Sequence, residues 1–132
     1  MQDRPTYDEL LAAVESFLDE EIVPNSEGAR RFHARVSANV LRIVRRELEH
    51  ADEQFEREWA GLVALLGPAE RPAGRSALRE ALAARTGELC ARVRAGDADA
   101  GPFRNAVLAH ARHTVRDKLV VTNPGWLRER TS

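Results

Sequence analysis

The sequence predicts an all-α fold, arranged as a single-domain bundle of about five helices. Its long segments repeat their apolar residues at helical period, and no stretch alternates for long at the two-residue period of a strand. Breaks that contain proline or glycine separate these segments. The chain has 132 residues, of which 43% are hydrophobic, so one domain can bury a core without a metal or a disulfide.

The first helix is predicted to begin near Tyr7, because Thr6 and Glu9 have the spacing of a capping box. Pro24 stops this helix or follows its end. The apolar stripe expected to face the core contains Leu10, Leu11, Val14, Phe17 and Leu18.

The second helix is predicted from about Glu27 to about Glu49, as a long helix near the centre of the bundle. The inner face is expected to contain Ala29, Phe32, Val36, Val40, Ile43 and Val44, with Leu48 at its edge. The opposite side carries Arg31, Arg35, Arg42 and Arg46, which form either a solvated face or a stripe that grips phosphate.

A third helix is predicted after a break near Ala51 and Asp52. A flexible linker at about 67–75 follows this helix. Both belong to a single predicted domain that spans residues 1–132. The third helix carries an amphipathic stripe of Phe55, Trp59, Leu62, Val63 and Leu66.

The fourth helix is predicted to begin at an N-cap, Ser76, and to end at Gly96. Pro102 suits the first position of the fifth helix, which is predicted to continue to about Val121 near the centre of the bundle. After a turn at 123–125, the last apolar residues, Trp126 and Leu127, are expected to pack back on the bundle.

Charge and composition exclude several classes of protein. The net charge of -1 argues against a nucleic-acid binder or a membrane-surface binder. The N-terminus lacks the apolar core of a signal peptide, and no run approaches the ~20 apolar residues of a membrane span, so we expect a cytoplasmic protein. The single cysteine, Cys90, excludes an intramolecular disulfide, and its helical neighbours predict a small buried side chain.

Charged and polar side chains interrupt two apolar faces. Lys118, the one lysine of the chain, lies in the apolar arc of the fifth helix, and Glu47 interrupts the second helix in the same way. A charge directed at a core must be paired, must shift its pKa, or must line a site. These two residues, with His33 and Asn39, are therefore a candidate pocket. A salt bridge, or a lysine that reaches water at its helix end, is the structural alternative.

A candidate metal site lies on the fifth helix. His110, His113 and Asp117 fall within about 60° of one another on a helix, and two imidazoles with a carboxylate can bind a divalent ion. His33 could complete the set. The alternatives are a surface pair of histidines without metal and a satisfied core histidine. No cofactor is predicted, because the chain has no catalytic-triad spacing, zinc-protease motif or phosphate-binding loop.

Two segments carry a resemblance to a known family. They are the run 31–36 with Asn39 and 43–48, and the run 115–119 followed by Asn123 and Pro124. Together with the apolar stripe of the first helix, they make the chain similar to a bacterial family of small helical proteins with a domain of unknown function. The resemblance implies gene neighbours that are phosphotransferase-like kinases and acyl-CoA dehydrogenases. It also implies an accessory role in acyl-CoA metabolism, and it implies no catalytic residue.

Two functions remain open at this point. The first is a non-catalytic accessory or adaptor protein that docks on a larger enzyme, either the kinase or the dehydrogenase, and it requires an exposed apolar patch. The alternative is a small-molecule-binding or metal-dependent enzyme with its site between the second and fifth helices, where Lys118 would hold a substrate anion. A homodimer through the face of Trp59 is compatible with either.

Overall fold

A computed structural model describes residues 3–128 of the chain. No strand occurs within these residues, so the all-α prediction is confirmed. The chain falls into two compact units, Met1–Glu49 and His50–Ser132, here called the N-terminal unit and the C-terminal unit. One domain with a flexible linker at about 67–75 stays a prediction. The helices are α1 (Tyr7–Phe17), α2 (Gly28–Leu66), α3 (Arg75–Arg94), α4 (Gly101–Thr122) and α5 (Gly125–Arg128), with a π-helical turn at Leu18–Ile22.

The second and third predicted helices are one helix, α2, which continues for 39 residues. The predicted break near Ala51 and Asp52 is therefore wrong. Positions 49–54 contain neither proline nor glycine, and Ala51 is buried, so nothing there interrupts the backbone ladder. The short α5, which the sequence did not predict as a helix, brings the count in the described residues back to five.

The N-terminal unit begins with the predicted capping box, which is confirmed. The amide of Thr6 donates to Oε2 of Glu9 at 2.7 Å, and the amide of Glu9 donates to Oγ1 of Thr6 at 3.2 Å. Each of these bonds satisfies a backbone donor at the start of α1. The helix then widens into the π-helical turn, whose closing bond runs from the amide of Val23 to the carbonyl of Leu18 at 2.9 Å.

The buried side of α2 in the N-terminal unit differs from the predicted inner face. Ala34 and Ala38 are 6% and 0% exposed. Arg42 and Arg45, which continue the same side at helical spacing, contact carboxylates of α1. Small side chains at 34 and 38 are compatible with a closely packed helix pair. The prediction that Phe32, Val36, Val40 and Val44 face the core is wrong, because all four are exposed.

The core of the C-terminal unit is built from α2 and α3, and its buried members are Trp59, Leu62, Leu78, Leu82 and Leu89. Phe103 and Val107 of α4 pack against this cluster. Trp59 is only 7% exposed within this cluster, and a homodimer through its face stays a prediction. The apolar stripe that the sequence assigned to this part of α2 thus meets the buried leucines of α3.

Helix α3 runs parallel to the end of α2. Near its start, Arg75 contacts Asp52, and near its end Arg92 donates to the carbonyl of Leu65. The connection 67–74 must therefore return along α2 over about 21 Å, the length of about 14 helical residues. Eight residues can span roughly 26 Å when extended. Arg71 in this connection donates to Glu56 of α2 at 2.9 Å, which places the connection along that helix.

Helix α4 runs antiparallel to the end of α2. Its later residue Asp117 accepts from Arg57 at 3.1 Å, and the backbone carbonyl of Asp117 accepts from Gln54 at 2.9 Å. Its earlier residue His110 lies against Gly61. The side of α4 that carries these residues therefore faces α2.

The predicted helix ends are partly confirmed. Gly96 follows the end of α3 with a φ of 93°, a left-handed conformation that favours glycine, and Pro102 lies in the first turn of α4. The predicted cap at Ser76 is wrong, because Gly74 is the N-cap of α3. Two expectations of burial are also wrong. Cys90 is exposed, and Trp126 is 62% exposed because the short α5 leaves its ring in solvent.

Arg85 of α3 binds the C-terminal end of α2. One Nη donates to the carbonyls of Gly67 at 2.7 Å and Leu62 at 3.4 Å, and the guanidinium lies 5.6 Å from the ring of Trp59. A cation at this position also complements the partial negative charge of the helix end.

We expect Arg85→Ala to lower the free energy of unfolding by about 2 kcal/mol, because it removes charge-assisted bonds and a cation–π contact. Urea denaturation followed by circular dichroism measures the change. Arg94→Ala, at an exposed position at the end of the same helix, is the control and should lower the free energy of unfolding by less than about 0.5 kcal/mol. Equal effects of the two substitutions would contradict the role of Arg85.

Candidate functional site

The N-terminal unit exposes two rows of large apolar side chains. Within each row the residues are three or four positions apart, so they share one side of their helix. The first row, here called the α1 stripe, consists of Tyr7, Leu10, Val14 and Phe17, which are 49–60% exposed. The second row, here called the α2 stripe, consists of Phe32, Val36, Val40 and Val44, which are 39–64% exposed.

The exposed apolar area is large for a unit of this size. The aromatic residues Tyr7, Phe17 and Phe32 are 55–64% exposed. At about 150–250 Å² each, they present on the order of 300 Å² between them. Five aliphatic side chains add to this area. The largest apolar patch of a typical monomer covers roughly 300–600 Å² and is often functional. Each stripe is thus a candidate for an interaction surface.

Two arginines hold α1 against α2 and leave both stripes free. Arg42 donates from Nε to Oε1 of Glu15 at 2.8 Å and also pairs with Asp19. Arg45 donates to Oδ1 of Asp8 and to Oε2 of Glu15, each at 2.8 Å. These five side chains are here called the arginine clamp. The prediction that the arginine side of α2 is solvated or binds phosphate is wrong for Arg42, because carboxylates of α1 occupy its guanidinium.

The hydrogen bonds of the clamp shift the pKa of Asp8 and of Arg45. The hydrogen bond from Arg45 lowers the pKa of the Asp8 carboxyl, although partial desolvation opposes the shift. The bonds to Asp8 and then to Glu15 raise the pKa of Arg45. The clamp residues Asp8, Glu15, Arg42 and Arg45 line a cleft of about 760 Å³, together with Tyr7, Arg46, Leu48 and Glu49. The charges of the clamp satisfy one another, so its evident role is to position α1.

The residues of the predicted pocket belong to both units, and His33, Asn39 and Lys118 are exposed. In the N-terminal unit, His33 and Asn39 are exposed, and Glu47 is half-buried. The His33 ring makes a T-shaped contact with the neighbouring Phe32 ring, at 5.6 Å between centroids, and its exposure shows that it is not a core histidine. In the C-terminal unit, Lys118 is exposed, because its neighbour Asp117 takes the side of α4 that faces α2. The expectation that Lys118 points into a core is wrong, and its pairing with Glu47 stays a prediction.

The predicted metal residues share one flank of α4 but do not converge. Asp117 accepts two bonds from Arg57, and Nδ1 of His113 donates to the carbonyl of Ala109 at 2.9 Å. His110 is half-buried against Gly61, and this burial lowers the pKa of its imidazole, with His113 contributing and Glu58 opposing. No three histidine, cysteine or acidic side chains within residues 3–128 are placed to hold a metal ion. The structure therefore does not assemble the set predicted from spacing.

Sequence reasoning missed the arginine clamp, although a signal for it exists. On α1 and the π-helical turn after it, Asp8, Glu15 and Asp19 recur at i, i+7 and i+11, which places them on one side at helical period. On α2, Arg42 and Arg45 recur at i and i+3. Matching an acidic row to a basic row would have predicted which sides meet, and hence which apolar rows stay exposed.

None of the helices in the described part of the chain combines the length and the hydropathy that a membrane crossing needs. A family model described as Domain of unknown function (DUF6285) matches residues 24–126, which is more than half of the chain. No curated protein and no solved structure matches the chain.

Gly61 is required where His110 packs on α2. A Cβ at position 61 would overlap Nδ1 of His110 and lie 2.8 Å from Cε1. We therefore expect Gly61→Ala to destabilise the chain, although alanine in a helix interior normally stabilises by roughly 0.5–1 kcal/mol. Thermal unfolding measures the change.

Gly87→Ala is the matched control, because its added Cβ meets nothing within 4 Å in the middle of α3. It should stabilise by roughly 0.5–1 kcal/mol. The double variant Gly61→Ala, His110→Ala should recover part of the loss. A stabilising Gly61→Ala would show that His110 does not pack there.

The lowered pKa of His110 predicts a pH dependence of stability. The unfolded chain binds a proton at this imidazole near its usual pKa of 6.5, whereas the folded chain binds it only at lower pH. The unfolded state thus holds more protons in this window, so stability falls as the pH drops from 6.5 through the lowered pKa of His110. Urea unfolding between about pH 7 and about pH 5, above the range in which most carboxylates titrate, measures the slope.

His110→Gln should flatten that slope, because it removes the titrating group. His113→Gln, at an exposed position one turn away, should retain it. If the wild type and His110→Gln lose stability in parallel, burial of His110 is not the cause.

Proposed function

The chain belongs to the family described as Domain of unknown function (DUF6285), and we propose that it is a non-catalytic helical accessory or adaptor protein that docks on a larger enzyme. The observation that carries the proposal is the pair of exposed stripes on the N-terminal unit. An apolar surface of this extent is unfavourable in water and gains free energy when a partner covers it.

The spacing of the α2 stripe supports a helical partner surface. Its four residues recur at strict four-residue intervals from Phe32 to Val44. Rows at this spacing form the ridges that pack into the grooves of another helix, most often at a crossing angle of about 50°. The partner surface would therefore be an apolar groove between helices, with aromatic pockets for Phe32 and for Phe17 of the α1 stripe.

The charged residues of the chain support a structural rather than a catalytic role. In the N-terminal unit, the clamp arginines and carboxylates engage one another. In the C-terminal unit, Asp117 is held by Arg57, and the cation of Arg85 binds backbone carbonyls. These groups stabilise helix contacts, so they are not poised as an acid, a base or a nucleophile.

The partner enzyme is part of the proposal. The family resemblance points to a phosphotransferase-like kinase or an acyl-CoA dehydrogenase, and hence to bacterial acyl-CoA metabolism in the cytoplasm. A second copy of the chain is the competing occupant of the stripes, and it would make the chain a homodimer. The two occupants differ in the size of the particle that the purified chain forms alone.

The test compares two triple variants of α2. Phe32→Gln, Val36→Gln, Val40→Gln replaces most of the α2 stripe, at positions where the folded chain leaves 44–64% of each side chain exposed. Its unfolding free energy should change by less than about 0.5 kcal/mol per residue. Its affinity for the purified dehydrogenase or the purified kinase should fall at least tenfold, about 1.4 kcal/mol.

The matched control is Arg31→Gln, Arg35→Gln, Asn39→Gln, on the same turns of α2 but outside the stripe. It should bind as the wild type does in interferometry or calorimetry. Failure of both enzymes to bind the wild type, or equal binding by both triple variants, would contradict the proposal. A wild-type dimer in light scattering that the stripe variant converts to a monomer would assign the stripes to a second copy instead.

A further inference from the structure

We propose that the outer side of α4, together with α5, is a docking groove for an acidic amphipathic helix of a partner protein. The groove belongs to the C-terminal unit and is independent of the stripes that carry the proposed function. The residues of its lining that the argument uses are Leu108, Arg112, Val115, Arg116, Leu119 and Leu127. They are here called the α4 groove.

The groove exists because the core and α2 use only the opposite side of α4. Phe103 and Val107 pack on the core cluster, and His110 and Asp117 lie against α2. The outer side carries Leu108, Arg112, Val115 and Leu119 at i, i+4, i+7 and i+11, which is one face of a helix. Leu108 and Val115 are 42% and 56% exposed, so this face is apolar and open to solvent.

Helix α5 supplies the second wall. The amide of Leu127 donates to the carbonyl of Pro124 at 3.2 Å, and the amide of Trp126 donates to the carbonyl of Asn123, also at 3.2 Å. This turn brings Leu127 beside the end of α4, where it lines the groove with Leu119. A row of apolar residues beside a raised wall is the shape that receives one face of a helix.

The charge of the groove selects an acidic partner. Arg112 and Arg116 line it and are exposed, and no ion pair joins either of them to a carboxylate within residues 3–128. Asp117, the nearest acidic residue in sequence, lies on the other side of α4 in contact with Arg57. Two arginines one turn apart repel each other in the free chain, and carboxylates of a partner would relieve that repulsion and bind the guanidiniums directly.

The length of the groove sets the length of the segment that it receives. From Leu108 to Leu119, α4 advances about 17 Å, which corresponds to three turns of a docked helix. Such a helix would place apolar residues at i, i+3 or i+4, and i+7 over Leu108, Val115 and Leu119. Its flanking glutamates or aspartates would meet Arg112 and Arg116.

The experiment uses the full chain and two synthetic peptides in fluorescence anisotropy. Both peptides have about 18 residues, roughly 27 Å as a helix, with leucine at every third or fourth position. The acidic peptide has glutamate at the other positions, and the basic peptide has lysine there. We expect the acidic peptide to bind at least tenfold more tightly than the basic one, and its affinity to fall as salt is raised.

Charge reversal tests the assignment. Arg112→Glu, Arg116→Glu should lose at least tenfold in affinity for the acidic peptide and should gain affinity for the basic peptide. Val115→Gln should weaken both interactions without reversing the preference. The control Arg30→Glu, Arg31→Glu makes the same change of net charge at exposed positions of the N-terminal unit and should leave binding unchanged.

Three outcomes would overturn the assignment to an acidic helix. Equal binding of the two peptides, or equal losses in the reversal and control variants, would mean that only net charge attracts the acidic peptide. Binding of wild type to anionic lipid vesicles, without binding of the acidic peptide, would assign the groove to a membrane surface. If the reversal variant fails to fold by circular dichroism, Arg112→Gln, Arg116→Gln replaces it and must weaken acidic-peptide binding.

The result is separable from the test of the proposed function. The variant Phe32→Gln, Val36→Gln, Val40→Gln leaves the α4 groove intact, so it should bind the acidic peptide as the wild type does. Loss of enzyme binding in that variant with retained peptide binding would support two separate surfaces. Loss of peptide binding in that variant would contradict the assignment to α4.

Discussion

Arginine side chains join the helices within each unit, and the remaining features of the structure depend on these contacts. In the N-terminal unit, Arg42 and Arg45 bind carboxylates of α1. In the C-terminal unit, Arg57 binds Asp117 of α4, and Arg85 binds the carbonyls that end α2. A guanidinium can make several directed bonds at once, so a few residues fix which helix sides meet.

The clamp determines what the N-terminal unit presents to solvent. Because Ala34 and Ala38 lie on the same side of α2 as the clamp arginines, the large apolar side chains of α2 are directed elsewhere. An isolated pair of helices with its apolar rows in water gains little from burial of its own. The proposed docking role follows from this small gain in apolar burial, since a partner would supply the missing apolar contact.

Helix α4 shows the same division within the C-terminal unit. Its inner side contributes Val107 to the core and His110 to the contact with Gly61. Its outer side combines Val115 and exposed arginines, which neither the core nor α2 uses. Of the candidate metal residues, His110 and Asp117 contact α2 on the inner side, whereas His113 is exposed. The spacing of the two histidines was therefore a poor guide to their role.

The sequence by itself determined the helical class, the capping box at Thr6, the stop at Gly96 and the core stripe from Phe55 to Leu66. Those features follow from local backbone chemistry or from an apolar spacing that fits only a helix. Only the tertiary structure decided that α2 is continuous through Ala51 and that its arginine side, not its apolar side, contacts α1. An amphipathic pattern shows which residues share a side, but the partner helix decides which side is buried, through charge pairs that are distant in sequence.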